Sequence, residues 1–231
     1  MFWKTLQSIH SGLVSLAFQE NCLNCNQEGE LLCLSCRKNW ICDSQYVKGE
    51  AFPVFSRVTY DELAAKIVLA GKESALKSAK KLLAGALADA TLKLCNHLDI
   101  LEGRIEFVPI PSSRRARIRR GEDFIYELAK LTRDELSSAA PLIDFRITPA
   151  LKVNKNVRDQ SRLSESERDL NLAGAFSIDT NLQRNSRLLL LDDVITTGST
   201  LREAYRALKE RNLTVLGAVT ACASKRRLLI R

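Results

Sequence analysis

Four consecutive leucines, Leu188 to Leu191, run directly into Asp192 and Asp193, and after Val194 and Ile195 the chain continues as Thr196-Thr-Gly-Ser-Thr200. An apolar run this short, opened by Arg187 and closed by two acids, predicts a strand buried on both faces over 187–192. The hydroxyl-and-glycine segment after it predicts a loop opening a helix over 200–212. A buried strand feeding a helix is the building unit of an open, mostly parallel sheet, and in such a sheet ligands bind at the carboxyl ends of the strands. This one segment therefore constrains both the fold and the place where its chemistry should lie.

The rest of the chain supplies the other parts of that fold. Val54 to Thr59 reads as a strand, and Asp61 as the N-cap of a helix reaching about Leu69, with a turn at Gly71. Residues 73–98 carry Leu76, Ala79, Leu83, Leu87, Ala90 and Leu94 at helical spacing, with Lys77, Lys80, Lys81 and Lys93 on the other side. A short strand from Arg104 to Ile110 leads into prolines and arginines, a helix follows over 123–138, and Thr214 to Cys222 is a further strand. Between Pro149 and Asn171 no period is sustained, which predicts a functional loop or lid. The predicted class is α/β: a mostly parallel sheet with helices on both faces, joined by right-handed crossovers.

Domain organisation follows from the cysteines. Five of the seven lie between Cys22 and Cys42, which predicts a small module over 1–50 and the α/β domain over 51–231. An amphipathic helix over about 2–19 leads into the module; Lys4, Gln7, His10 and Ser11 interrupt it, so no membrane-spanning run is expected there. Cys22-x-x-Cys25 and Cys33-x-x-Cys36 are two knuckles, each able to present two thiolates to one ion, and together they complete a closed four-cysteine site for structural zinc, or for iron in the same cage. The plainer reading is a set of structural or redox cysteines. Cysteines crowded in this way suit a reducing, cytoplasmic compartment rather than a disulfide framework. With two histidines in 231 residues, histidine-dependent hydrolase and metalloprotease sites have almost no raw material.

The acids and hydroxyls suit a sugar phosphate. Backbone N–H groups of Thr196 to Thr200 can wrap a phosphate at a helix N-terminus, with Gly198 permitting close approach. Asp192 and Asp193 can accept hydrogen bonds from ribose hydroxyls and favour a magnesium ion held mainly by ligand oxygens and water. The loop lacks the lysine and second glycine of a nucleotide-triphosphate P-loop. The plainer reading is a strand end followed by a capped helix. Lysine and arginine number 35 against 27 acids, a net charge of +8, which favours phosphate-bearing partners. Arg114, Arg115, Arg117, Arg119 and Arg120 concentrate that charge; they fit a pyrophosphate group, a nucleic-acid backbone or simple solvation. Lys225, Arg226, Arg227 and Arg231 read as a solvated tail.

The hydrophobic run with Asp192-Asp193 and Thr196 to Thr200 resembles the phosphoribosyl pyrophosphate motif of type I phosphoribosyltransferases. With the Cys knuckles, Lys72, Val108-Pro-Ile-Pro111, Arg120-Gly121, Arg158-Asp-Gln160, Leu163, Arg168, Asn171 and Gly174-Ala-Phe176, nearly the whole chain resembles the ComF/GntX family of phosphoribosyltransferase-like proteins. The resemblance implies that Asp192, Asp193, Val194, Thr196, Thr197, Gly198, Ser199 and Thr200 bind phosphoribosyl pyrophosphate with magnesium. It also implies that Lys72, Arg114, Arg115 and Arg120 face the leaving group, and that Arg158 belongs to a lid. For some members it implies a part in handling single-stranded DNA during DNA uptake, which is the non-catalytic alternative. Many members carry Arg-Gly-Phe-Asn-Gln where this chain has Arg120-Gly-Glu-Asp-Phe124, so no role carries over to Glu122, Asp123 or Phe124. The acceptor and the oligomeric state are not indicated.

Overall fold

Apolar runs and helical periods place the elements close to their predicted positions, and the exceptions have identifiable causes. The computed structural model describes residues 21–40, 43–154, 174–178, 182 and 185–228, leaving out the side chains of Asn39 and Arg114. The predicted helix over 2–19, Cys42, and the segment with Arg158, Gln160, Arg162, Leu163, Arg168 and Asn171 lie outside the described residues. The chain divides into two compact units, Met1–Cys42 and Asp43–Arg231. In the first, a turn closed by Cys22 N–H to Gln27 O (2.8 Å) and Leu23 N–H to Leu31 O (3.0 Å) precedes helix α1 (Leu34–Trp40), with Leu31 and Leu32 buried.

In the second unit six strands form one sheet: β1 (Gln45–Tyr46), β2 (Val54–Thr59), β3 (Gly103–Pro109), β4 (Ile143–Ile147), β7 (Arg187–Ile195) and β8 (Thr214–Ala223), in the order β1-β2-β8-β7-β3-β4. All neighbours are parallel except β1, which pairs antiparallel with β2 through Gln45 with Ser56 and Tyr46 with Phe55. That pairing brings residues 43–50 into the α/β unit, ahead of the expected boundary at 50/51. A separate hairpin joins β5 (Leu151–Val153) to β6 (Phe176–Ile178). The helices are α2 (Glu62–Glu73), α3 (Lys77–His97), α4 (Arg114–Arg120), α5 (Phe124–Ala139) and α6 (Ser199–Lys209). Asp61 does cap α2, accepting from Ala64 N–H at 2.9 Å.

The leucine run sits at the centre of the sheet with Leu188 to Leu191 fully buried. Leu188 and Leu190 share a cluster with Leu201, Ala204 and Leu208 of α6, and strand alternation turns Leu189 and Leu191 to the opposite face. α3 packs against β2, β8, α2 and α5, which puts the apolar side of the longest described helix onto the sheet.

Several expectations need correction. Gly71 is no turn; it lies inside α2, where a Cβ would meet Leu83 and Phe124 at 3.4 Å, so its smallness serves close helix packing. Lys80 is not on the solvated side of α3: it is buried and pairs with Glu122 at 2.6 Å. The arginine segment is itself a helix, α4, started by Ser113 accepting from Ala116 N–H (3.3 Å) and ended by Gly121 at φ 74°. β4 was missed although Ile143, Phe145 and Ile147 alternate in Ile143-Asp-Phe-Arg-Ile147, the period of a strand. Among the described residues no helix is long and apolar enough to cross a membrane.

Candidate phosphoribosyl site and metal centre

β7 runs three residues beyond its predicted end, to Ile195, so both aspartates are strand residues and alternation sends them to opposite faces. Asp193 turns to the side of α2 and α5, where Lys72 Nζ lies 2.8 Å from its Oδ2. Phe124, fully buried at the start of α5, sits under the same ammonium, with Nζ 5.6 Å from the ring centroid. Burial alone would lower the Lys72 ammonium, but the Asp193 carboxylate outweighs it and holds the group above its ordinary value. Asp192 is pushed well above the usual carboxylate range by desolvation first and by the neighbouring Asp193 second, with Lys72 only partly offsetting both. The two acids therefore differ: Asp193 is paired with a lysine, and Asp192, which faces the other way, is pushed towards its neutral form.

The loop after β7 has the predicted form. Gly198 caps α6 in the left-handed region at φ 81°, a conformation glycine adopts without Cβ strain. Thr197 Oγ1 and Ser199 Oγ lie 2.9 Å apart, Ser199 N–H points to Thr197 Oγ1 at 3.4 Å, and Arg202 N–H bonds Gly198 O at 2.9 Å. The smallness of Gly198 also serves an internal contact, since a Cβ there would overlap the Glu50 carboxylate. Sequence reasoning also missed Tyr60, which follows β2 at the same end of the sheet and donates its N–H to Ala223 O at 2.7 Å. Burial, then the charge of Asp193, raises its phenol above the ordinary value. Its position immediately after a predicted strand was the available signal.

The arginines divide on inspection. Arg120 lies near enough to Lys72 to oppose its charge, and its Nη1 is buried without a hydrogen-bond partner among the described residues, while Nε donates to Ala116 O at 3.2 Å. Arg119 is committed to Glu73 (2.8 and 2.9 Å), and Arg117 is 3.9 Å from Asp123. Arg115 is exposed; among the described residues no hydrogen bond or ion pair links it to Asp192, Asp193 or Lys72. Arg114 opens α4. The segment that departs from the family pattern has structural work of its own. Glu122 holds Lys80, Phe124 underlies Lys72, and Asp123, raised by burial, accepts the Ser112 N–H in the loop before α4.

In the N-terminal unit the Sγ atoms of Cys22, Cys25, Cys33 and Cys36 all lie within 4.8 Å of one another. Cys25 and Cys33 are 3.6 Å apart, close to the sulfur spacing of about 3.8 Å that a tetrahedral Zn–S bond of about 2.3 Å imposes. Asn24 Nδ2 donates to Cys36 Sγ at 3.2 Å and Ser35 Oγ lies 3.1 Å from Cys33 Sγ, contacts that support thiolates from outside the shell. Burial would push the Cys22 thiol up, yet N–H groups of Cys25, Cys33 and Asn24 bring it down to about 6. Gln27 N–H favours the Cys25 thiolate, but the crowded sulfurs lift that thiol to about 12. The donor set fits one metal ion.

Comparison with known proteins bears on the α/β unit. Residues 128–229 match the phosphoribosyl transferase domain. The match takes in β7, both aspartates and the whole loop, and leaves Lys72 and the arginine helix outside it. Solved structures with similarity include a hypoxanthine phosphoribosyltransferase from Staphylococcus aureus, at 16% identity and TM-score 0.31 over 60% of this chain and 66% of that one. Another is adenine phosphoribosyl transferase from Trypanosoma brucei in complex with AMP, pyrophosphate and ribose-5-phosphate, at 13% identity and TM-score 0.37 over 84% of each chain. The chain thus spans just under two thirds of the length of the first of these. No curated protein sequence matches. The molecule has a phosphoribosyltransferase-like α/β fold and a four-cysteine cluster suited to a metal.

Proposed function

We propose that the chain binds phosphoribosyl pyrophosphate with magnesium and transfers the phosphoribosyl group to an acceptor, as a member of the ComF/GntX family with a zinc-held N-terminal module ending at Cys42. The observation that carries this is the split acid pair at the end of β7, with Lys72 on Asp193 and a glycine-capped loop directly after. In this reading the N–H groups of Thr196 to Thr200 hold the 5′-phosphate, and Asp192 and Asp193, with the adjoining Val194 backbone, face the ribose hydroxyls. Magnesium bound with the ligand would supply charge neutralisation on pyrophosphate oxygens. The bond from ribose C1 to the pyrophosphate oxygen breaks, pyrophosphate leaves with the electron pair, and the acceptor's lone pair forms the new bond at C1 and sheds its proton. Lys72 and Arg120, whose buried Nη1 has no hydrogen-bond partner among the described residues, are the fixed cations for the departing charge; Arg114 and Arg115 are further candidates for the same role, and the resemblance gives Arg158 to a lid that excludes water. The clustered thiols fit a reducing, cytoplasmic compartment.

Calorimetry with phosphoribosyl pyrophosphate and magnesium tests the proposal. The wild type should bind, and the Asp192→Ala, Asp193→Ala double variant should lose at least about 100-fold in affinity, equivalent to about 2.7 kcal/mol. No magnesium-dependent binding at millimolar ligand would sink it. A second reading, single-stranded DNA binding as part of DNA uptake, is favoured by one observation: α4 presents Arg115, Arg117 and Arg119 on an exposed helix.

A further inference from the structure

The side chain of Glu50 is fully buried. Burying a carboxylate costs several kcal/mol unless charged partners are held in good geometry, and here two arginines far apart in the sequence supply them. Arg202 Nη1 lies 3.0 Å and Arg227 Nη1 3.1 Å from Glu50 Oε1. Both guanidiniums reach onward to the same short stretch of backbone. Arg202 Nη1 donates to Thr197 O at 2.9 Å, Arg227 Nε to Thr196 O at 3.2 Å, and Arg227 Nη2 also donates to Thr197 O. Arg227 therefore does not belong to a solvated tail, as the sequence suggested; its side chain is 14% exposed.

We infer that Glu50 is a positioning residue for the phosphate loop, fixing two arginines on the carbonyl side so that the loop's N–H groups face the ligand. The step from carbonyl to N–H is geometric. Peptide bonds are planar, and none here is cis, so the Thr197 N–H points opposite to Thr196 O and the Gly198 N–H opposite to Thr197 O. Holding those two carbonyls fixes the direction of the two donors an anion would meet. Without the carboxylate, the guanidiniums would be long, mobile cations beside an anion site; with it, one of their two charges is balanced and both are aimed at the loop carbonyls. Gly198 belongs to the same device, because a side chain there would displace the Glu50 carboxylate. The segment carrying Glu50 is in turn tied to the C-terminal turn by the Val47 to Leu228 bridge and by Lys48 N–H to Arg227 O at 3.1 Å.

This inference rests on the sugar-phosphate reading, and its test separates the two. Ribose 5-phosphate and magnesium pyrophosphate are titrated calorimetrically into the wild type, Glu50→Gln and Arg202→Gln, with melting temperatures recorded for each. Glu50→Gln should bind ribose 5-phosphate about tenfold more weakly, the worth of one charge-assisted hydrogen bond. Pyrophosphate, assigned to Lys72 and Arg120, should change less than about twofold. Should Glu50→Gln fail to fold, Arg202→Gln, whose side chain is 36% exposed and leaves the Glu50 to Arg227 pair in place, should show the same selective loss. Unchanged ribose 5-phosphate binding, or an equal loss of both ligands, would overturn the positioning role while leaving the sugar-phosphate reading intact. A wild type that binds pyrophosphate but no ribose 5-phosphate would overturn both.

Discussion

Cys22, Cys25, Cys33 and Cys36 gather four sulfurs within 4.8 Å, whereas Asp192 and Asp193 set two carboxyls on adjacent strand residues, and each arrangement must hold like charges together. The sulfurs share protons unevenly, with Cys22 brought to about 6 and Cys25 lifted to about 12. A single divalent cation removes that conflict and closes the shell, which makes the ion part of the fold. The acids are treated differently. Lysine neutralises one, the pleat of the strand separates it from its neighbour, and burial keeps the neighbour above the usual carboxylate range. In the proposed reading, that second carboxyl is the one a ligand's hydroxyl or cation would engage. A cluster closed by a metal would stabilise the fold; in the proposed reading, the acid pair instead keeps an affinity in store.

The largest effect that would break this contrast lies in the cysteine module. Cys33→Ser should reduce zinc from one ion per chain to near none and expose residues 21–40 to protease, because structural sites of this kind carry apparent energies of about 10 kcal/mol or more. Metal analysis and limited proteolysis read it out. Stoichiometric metal retained in the variant would show that the shell is not the closed one described.

The acid pair gives a smaller effect with a definite sign. In the folded protein Asp192 keeps its proton to higher pH than the unfolded chain does, so the native state binds more protons over that window and loses stability as pH rises above about 4. Asp192→Asn imitates the protonated form. It should melt a few degrees above the wild type at pH 8, with the gap closing towards pH 4, while sugar-phosphate binding is lost. Thermal melts across pH test this, and a variant less stable than wild type at pH 8 would remove the stored-affinity half of the contrast.

The smallest effect belongs to α4, where charge is exposed and only partly paired. If Arg115 contacts a DNA phosphate, Arg115→Gln should flatten the salt dependence of single-stranded DNA binding by about 0.7 units of log–log slope. A slope equal to that of the wild type would remove Arg115 from the DNA reading.

Residues whose signal is local were legible in advance. The strand from Val54 to Thr59, the Asp61 cap, the knuckles and the glycine-capped loop after Ile195 all announce themselves within a few positions, because periodicity, capping and ligand spacing are short-range properties. Glu50, Arg227 and the buried Lys80 were not legible. Each is an ion pair closed across the fold, with Glu50 and Arg227 separated by 177 positions and Lys80 and Glu122 by 42, and a charged residue looks the same in sequence whether it meets solvent or a partner. Arg202 was nearer to reach: it lies one helical turn beyond Gly198, on the helix the loop opens.

The pairing of Glu50 with Arg227 also bears on the order in which the molecule can mature during synthesis. β7 and its two aspartates emerge from the ribosome before β8 and the turn that follows it, so a nascent chain holds the acids and the threonines while the support behind the loop is still being made. Contacts this distant in sequence form late, because a long loop must close before they stabilise anything. A chain released before residue 227 would keep the leucine strand and the cysteine knuckles yet lack one of the two guanidiniums that meet Glu50. The support behind the loop is thereby completed only after β8 has been made, well after the acids and threonines themselves.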